Sequence, residues 1–246
     1  MNAFRSALVF LWMVVTVIPL GLSLVALSPV LRDDKLWWWF AVPWLKGCVM
    51  AARVIGGVRY RIEGEHNLPG VDNMRRTILC SKHQSTWETF FFPSMTSHPL
   101  AYVFKKELLR IPIFGWCIGL LGMIHIDRSK RAEAWSKVAE QGRQLMDRGK
   151  WIIMFPEGTR TERGSQGAYK TGAARLAVTT GADVIPIALT SGRCWPRRSF
   201  SFIPGVINVS IGPPIASEGR EPEEMMSEVE RWIESEMRRL DPEAYP

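Results

Sequence analysis

From Ser6 to Leu31 this chain carries no charged side chain, and that run limits its fold more than any other feature. It reads Ala-Leu-Val-Phe-Leu-Trp-Met-Val-Val-Thr-Val-Ile before Pro19 and stays apolar to Leu31. A helix needs roughly 20 such residues to cross the hydrocarbon core of a bilayer, and this run is longer. Arg5 flanks it on one side and Arg32-Asp33-Asp34-Lys35 on the other. A second apolar stretch, Leu36-Trp37-Trp38-Trp39-Phe40 through Val58, is interrupted by Pro43, Lys46 and Arg53. Tryptophans beside charges are the composition of a membrane interface, so this stretch reads as amphipathic and interfacial. Together the two predict a hydrophobic helical hairpin that dips into one leaflet as a retained anchor. A cleaved signal peptide fits poorly, because the run is too long and lacks a small-x-small cleavage site. A buried pair of core helices is the remaining alternative.

From Gly57 the composition becomes that of a soluble domain, which divides the chain into an anchoring segment, residues 1–56, and a domain, residues 57–246. Val58 to Gly64 alternates as an edge or antiparallel strand does. Short apolar runs follow at Thr77–Cys80, Ala101–Phe104, Met123–Ile126, Trp151–Phe155, Val184–Leu189 and Val206–Ile211. Helical patterns separate them at Ser85–Met95, Lys130–Arg148, Thr171–Thr180 and Glu221–Leu240. Strands alternating with helices predict an α/β fold, a largely parallel (mixed) sheet flanked by helices. The net charge of +7 suits an anionic membrane surface or phosphorylated substrates. Nucleic acid is excluded as a partner, because no zinc-finger, helix-turn-helix or ribonucleoprotein signature is present. Cys48, Cys80, Cys117 and Cys194 form no C-x-x-C pair, which argues against a metal site and for a reducing compartment.

Ligand sites in such folds lie at the carboxyl ends of parallel strands. There the chain places Ser81-Lys82-His83-Gln84-Ser85-Thr86-Trp87-Glu88, with an imidazole and a carboxylate five positions apart. If a helix starts near residue 85, Glu88 folds back on His83, holds one ring nitrogen and leaves the other to take a proton. Ser85 fits a helix N-cap, and the absence of a Gly-x-Ser-x-Gly elbow argues against a hydrolase nucleophile. Gly122-Met123-Ile124-His125-Ile126-Asp127-Arg128 ends a second strand, and His125 reads as structural. In Phe155-Pro156-Glu157-Gly158-Thr159-Arg160, the glycine permits a tight turn and the arginine offers a planar fork for phosphate. Arg163 and Lys170 read as a solvated basic face. Arg193, Arg197 and Arg198, with Trp195 and Pro196 among them, suit either anionic lipid or a plain surface loop. Val184-Ile185-Pro186-Ile187 could wall a pocket.

These four segments, in this order, resemble the blocks of the glycerolipid acyltransferase family, which includes the 1-acylglycerol-3-phosphate acyltransferases (lysophosphatidic acid acyltransferases). The third block is matched in full, and the resemblance runs from about Val58 to Ile211. It implies transfer of a fatty acyl group from acyl-CoA or acyl carrier protein to the free hydroxyl of 1-acylglycerol 3-phosphate, giving phosphatidic acid. It further implies that His83 is the general base and that Glu88 orients it. Glu157, Gly158, Thr159 and Arg160 would bind the acceptor phosphate, helped by Arg128 and Lys105. No metal or other cofactor is expected, because a thioester is already activated. The partners implied are the bilayer, lysophosphatidic acid and the thioester donor, with the catalytic domain at the membrane and facing the cytoplasm. Two positions depart from the family pattern: Glu88 stands where it has aspartate, and His125 where it has phenylalanine. Another lysophospholipid or a lyso-aminolipid as acceptor, or a non-catalytic lipid-binding protein, are the competing readings.

Overall fold

The computed structural model describes residues 2–126 and 131–245, with the side chains of 105, 126 and 131–134 outside the description. The chain begins with α1 (Asn2–Leu27), followed by α2 (Asp33–Leu36), a π-helical turn (Trp37–Ala41) and α3 (Val42–Val54). Next come β1 (Val58–Glu63), β2 (Thr77–Ser81), α4 (Trp87–Met95), β3 (Leu100–Lys105), α5 (Phe114–Leu120) and β4 (Ile124–Ile126). The remaining elements are α6 (Arg131–Asp147), β5 (Trp151–Met154), α7 (Gly172–Thr180), β6 (Asp183–Leu189), α8 (Ser191–Cys194), β7 (Gly205–Ile211) and α9 (Pro222–Leu240). The described strands form one seven-stranded sheet in the order β1-β7-β6-β2-β5-β3-β4. β6, β2, β5, β3 and β4 run parallel to one another. β7 pairs antiparallel with β6, and β1 runs parallel with β7. The mixed α/β architecture matches the sequence reading, and β1 is indeed an edge strand, hydrogen-bonded in parallel to β7.

Side-chain alternation in the central strands splits the core in two. Leu79, Ile153, Ile185, Ile187 and Leu189 face one way and pack with residues of α1, α3 and α4, including Val9, Met13, Val49, Ala52 and Phe91. Ile78, Cys80, Ile152, Val184 and Ala188 face the other way, against Val138 of α6, Leu176 of α7, and Met225, Val229 and Ile233 of α9. The N-terminal helices therefore share a core with the sheet.

One stripe of α1 docks on the protein: Ser6, Val9, Met13, Gly21 and Leu24 are buried. Ser6 Oγ accepts the Phe202 N–H at 2.8 Å, and the Trp44 indole donates to Thr16 Oγ1 at 3.1 Å. α3 crosses α1 closely because Gly47 has no side chain: a Cβ there would lie 2.4 Å from the Trp12 ring. On the opposite face Phe4, Leu11, Val14, Val15, Ile18 and Leu22 are exposed. Among the described residues α1 is the one helix long and apolar enough, by length and composition, to cross a membrane.

The sheet order also determines which loops meet. β2 lies between β6 and β5, all three parallel, so the segments that follow them emerge side by side at one edge. Those segments are residues 82–86, 155–171 and 190–191.

Candidate active site

The β2–β6 pairing continues one residue past β2, because the Lys82 N–H donates to the Ile187 carbonyl at 2.9 Å. The chain then leaves the sheet, and His83 follows at its rim. The N-cap of α4 is Thr86 and not Ser85, although Ser85 Oγ accepts the N–H of Trp87 in the first turn of α4 at 3.1 Å. That turn carries Glu88, whose charge also suits the positive end of a helix. His83 Nδ1 hydrogen-bonds to Glu88 Oε2. Glu88 Oε1 accepts the Gln84 N–H at 2.9 Å, the Ser85 N–H at 2.8 Å and the Ser191 hydroxyl. The carboxylate is fully buried, and these donors replace the water it has lost. The His83 ring stacks on Phe155, with centroids 3.8 Å apart and planes 16° apart. The His83 carbonyl accepts the Thr161 N–H at 2.7 Å. Backbone, ring plane and Nδ1 are all fixed, and Nε2 is the ring nitrogen that Glu88 leaves unengaged.

After β5 the chain turns through Gly158, whose φ of 66° lies in the left-handed region that favours glycine. A Cβ at Gly158 would also lie 2.8 Å from Lys170 Nζ, so the missing side chain lets the lysine lie across the turn. Lys170 is tied in place by its N–H, which donates to the Pro156 carbonyl at 2.9 Å. The Arg160 guanidinium donates to Thr86 Oγ1 and so bridges to the loop that carries His83.

His83, Gly158, Thr159, Arg160 and Lys170 line one cavity of about 970 Å³. Away from these groups its wall is apolar and includes Leu20 and Leu24 of α1, Phe40, Trp44 of α3, Ile118 of α5 and Val138 of α6. Cationic groups, an oriented imidazole and an apolar chamber therefore open onto the same space, which is what an anionic amphiphile undergoing proton-assisted chemistry requires. A family model described as Acyltransferase matches residues 59–190, which contain His83, Glu88, Gly158, Thr159, Arg160 and Lys170. The 1-acyl-sn-glycerol-3-phosphate acyltransferase of Pseudomonas aeruginosa is 35% identical over 98% of this chain and 93% of its own length. This chain belongs to the acyltransferase family. The mouse 1-acyl-sn-glycerol-3-phosphate acyltransferase alpha is 29% identical over 74% of this chain and 63% of its own length. The crystal structure of the 1-acyl-sn-glycerophosphate acyltransferase PlsC from Thermotoga maritima shares the fold, with a TM-score of 0.80. It covers 98% of this chain and 96% of that one at 24% identity.

Not every expected site residue of the acyltransferase reaches the cavity. Glu157 turns away from it into the protein. Lys82 Nζ, fully buried, stands 3.2 Å from Glu157 Oε1 and 2.7 Å from Glu234 Oε1 of α9. Neither Glu157 oxygen is aligned with a hydrogen-bond donor among the described residues. Burial pushes the Glu157 carboxyl up to about 7 against the opposing pull of Lys82. Burial likewise raises the Tyr169 hydroxyl, which donates to Glu234 at 2.7 Å. Of Lys105 only the backbone, at the end of β3, is described, and Arg128 lies outside the described residues.

The basic residues first read as a solvated face divide. Arg163 grips the buried Asp241 with two hydrogen bonds of 2.7 Å, a structural ion pair. Lys170 joins the cavity lining. Arg193 stands 3.4 Å from Glu243, while Trp195 is buried against Phe10, Phe90 and Phe202. Sequence reading missed Ser191, Lys82 and Glu234. A serine and a glutamate more than 100 residues from their partners leave no local signal, although an uncompensated lysine at the end of an apolar strand was visible. Among the described residues no group of three His, Cys, Asp or Glu side chains could hold a metal ion.

Proposed function

We propose that this acyltransferase moves a fatty acyl group from acyl-CoA or acyl carrier protein to the free hydroxyl of 1-acylglycerol 3-phosphate. The product is phosphatidic acid. The observation that carries the reading is the shared cavity, with His83 and the Arg160–Lys170 cations at one end and an apolar chamber at the other. Arg160 and Lys170 hold the phosphate, with Gly158 and Thr159 shaping the turn between them. The apolar chamber takes hydrocarbon. His83 Nε2 removes the proton from the acceptor hydroxyl, and the freed oxygen attacks the thioester carbonyl. The tetrahedral intermediate collapses as the carbon–sulfur bond breaks, and the imidazolium returns its proton to the departing sulfur. Glu88 keeps the ring oriented and offsets the positive charge it carries in between.

The substrate lives in a bilayer, and the N-terminal segment suits that location. α1 is docked to the protein by one stripe along its length while its other face exposes large apolar side chains. A helix held this way lies along the lipid surface with its exposed face in one leaflet. The site then faces the cytoplasm, where thioester donors are made. The deciding test uses purified protein with a panel of lysolipids and both donors, reading free thiol release. Thiol release dependent on lysophosphatidic acid supports the reading. Turnover only with a phosphate-free lysolipid replaces the acceptor, and no turnover with any pair removes the catalytic reading.

A further inference from the structure

The hydroxyl of Ser191 reaches the catalytic pair from a part of the chain to which no role has been given. It donates to Glu88 Oε1, the oxygen that does not face His83. Ser191 is fully buried, and it is absent from the cavity wall that His83 shares. It therefore meets Glu88 from behind and has no path to substrate, which excludes a nucleophilic role. Its backbone is firmly held. Thr190 exchanges two hydrogen bonds of 3.0 Å with Asn208 of β7, through the Thr190 N–H and the Thr190 hydroxyl. The Trp195 N–H donates to the Ser191 carbonyl at 2.9 Å, and the Gly192 N–H donates to Gln84 Oε1 at 3.3 Å. Gln84 in turn donates to the Tyr245 hydroxyl. Thus the turn after β6 clamps both the residue after the base and the carboxylate that orients it.

We propose that Ser191 is a positioning residue for the His83–Glu88 pair. This inference rests on His83 being the general base. Glu88 can rotate about its last side-chain bond, and two backbone N–H groups from one loop restrain it from one side. The Ser191 hydroxyl, anchored on β7 through Thr190, adds a restraint from a distant part of the chain and takes up part of the carboxylate charge. The titratable groups facing Glu88 are His83 on its own loop, Tyr102 on β3 and Glu157 on the loop after β5. Arg193, two residues from Ser191, is turned towards Asp241 and Glu243.

Ser191→Ala removes one donor and leaves a gap too small for a water molecule. Glu88 then presents more of its charge to His83, which favours the protonated ring, so the acid limb of the kcat profile moves to higher pH. The expected result is a fall in kcat of about 3- to 10-fold, the range for loss of one ordinary hydrogen bond, since the two backbone donors to Glu88 remain. KM for donor and acceptor should stay within roughly twofold. Ser191→Thr should restore both kcat and the limb. Ser191→Cys keeps the volume with a weak donor and gives the same reading should the alanine variant fail to accumulate. An unmoved acid limb with wild-type kcat in both the alanine and cysteine variants overturns the role. His83→Ala separates the two levels: if it is inactive while Ser191→Ala behaves as wild type, only the Ser191 assignment falls. If His83→Ala turns over normally, the base reading falls and this inference with it.

Discussion

The proposed base and the cations that share its cavity are built on opposite plans. Around His83 the protein satisfies its own groups: Glu88 is buried and accepts four hydrogen bonds, and the His83 ring rests on Phe155. The cations, by contrast, are left short of partners. Arg160 donates to the neutral Thr86 hydroxyl, and among the described residues Lys170 has no acid partner. The difference separates two physical tasks. A base must hold one geometry through many turnovers, so its supports are internal and rigid. The proposed phosphate site must offer unspent positive charge, and its cations reach solvent, Arg160 half-buried and Lys170 exposed.

That contrast predicts which kinetic constant each group controls. His83→Ala should lower kcat by about 10²- to 10⁴-fold with thermal unfolding unchanged, as expected for loss of a general base. Wild-type-like turnover would break the assignment of His83 as the base. Glu88→Gln should lower kcat by about 10²-fold or more, because an amide cannot accept from all the donors now facing Oε1 and Oε2. Glu88→Asp keeps the charge with a shorter reach and should lose far less. Arg160→Ala should instead raise KM for lysophosphatidic acid, by roughly 10- to 100-fold, the range for a charged hydrogen bond. Lys170→Gln should do the same more weakly, by roughly 3- to 10-fold. If either change acts on kcat alone, the division between base and cations is wrong.

The smallest effect concerns stability. Buried Glu157 takes up its proton at about 7, against 4.5 for an unperturbed carboxyl. Between those values the folded chain holds a proton that the unfolded chain has released. Its contribution to stability is therefore full below about 4.5, drains away as the pH rises to about 7, and stays lost above. Glu157→Gln removes this dependence. The unfolding midpoint of the variant, relative to wild type, should climb through that window and level off beyond it. A flat difference would show that Lys82 keeps the carboxylate charged throughout.

The contrast also explains what could be read from the sequence. His83 and Glu88 were legible because they meet across one helical turn, where spacing fixes geometry. The parallel sheet was legible from its alternating segments, and the sheet order then brings the third block beside the first. Spacing could not say which way a loop side chain points. Glu157 and Arg160 sit three positions apart in one motif, yet one turns inward to Lys82 and the other towards the cavity. Ser191 and Glu234 escaped notice because their partners lie 103 and 152 residues away. Arg163 looked like a solvent residue only because Asp241 is equally distant from view. The N-terminal run was recognisable as apolar, but its docking on the sheet depends on contacts such as Ser6 with Phe202.

The bond between Gln84 and Tyr245 has a bearing on how the protein is made. The two residues are 161 positions apart. During translation α1 emerges first and the loop bearing His83 soon after, whereas Tyr245 leaves the ribosome only much later. Asp241, which holds Arg163, is delayed in the same way. The nascent chain thus presents its apolar helix while the loop bearing His83 still lacks the contact that Tyr245 makes with Gln84.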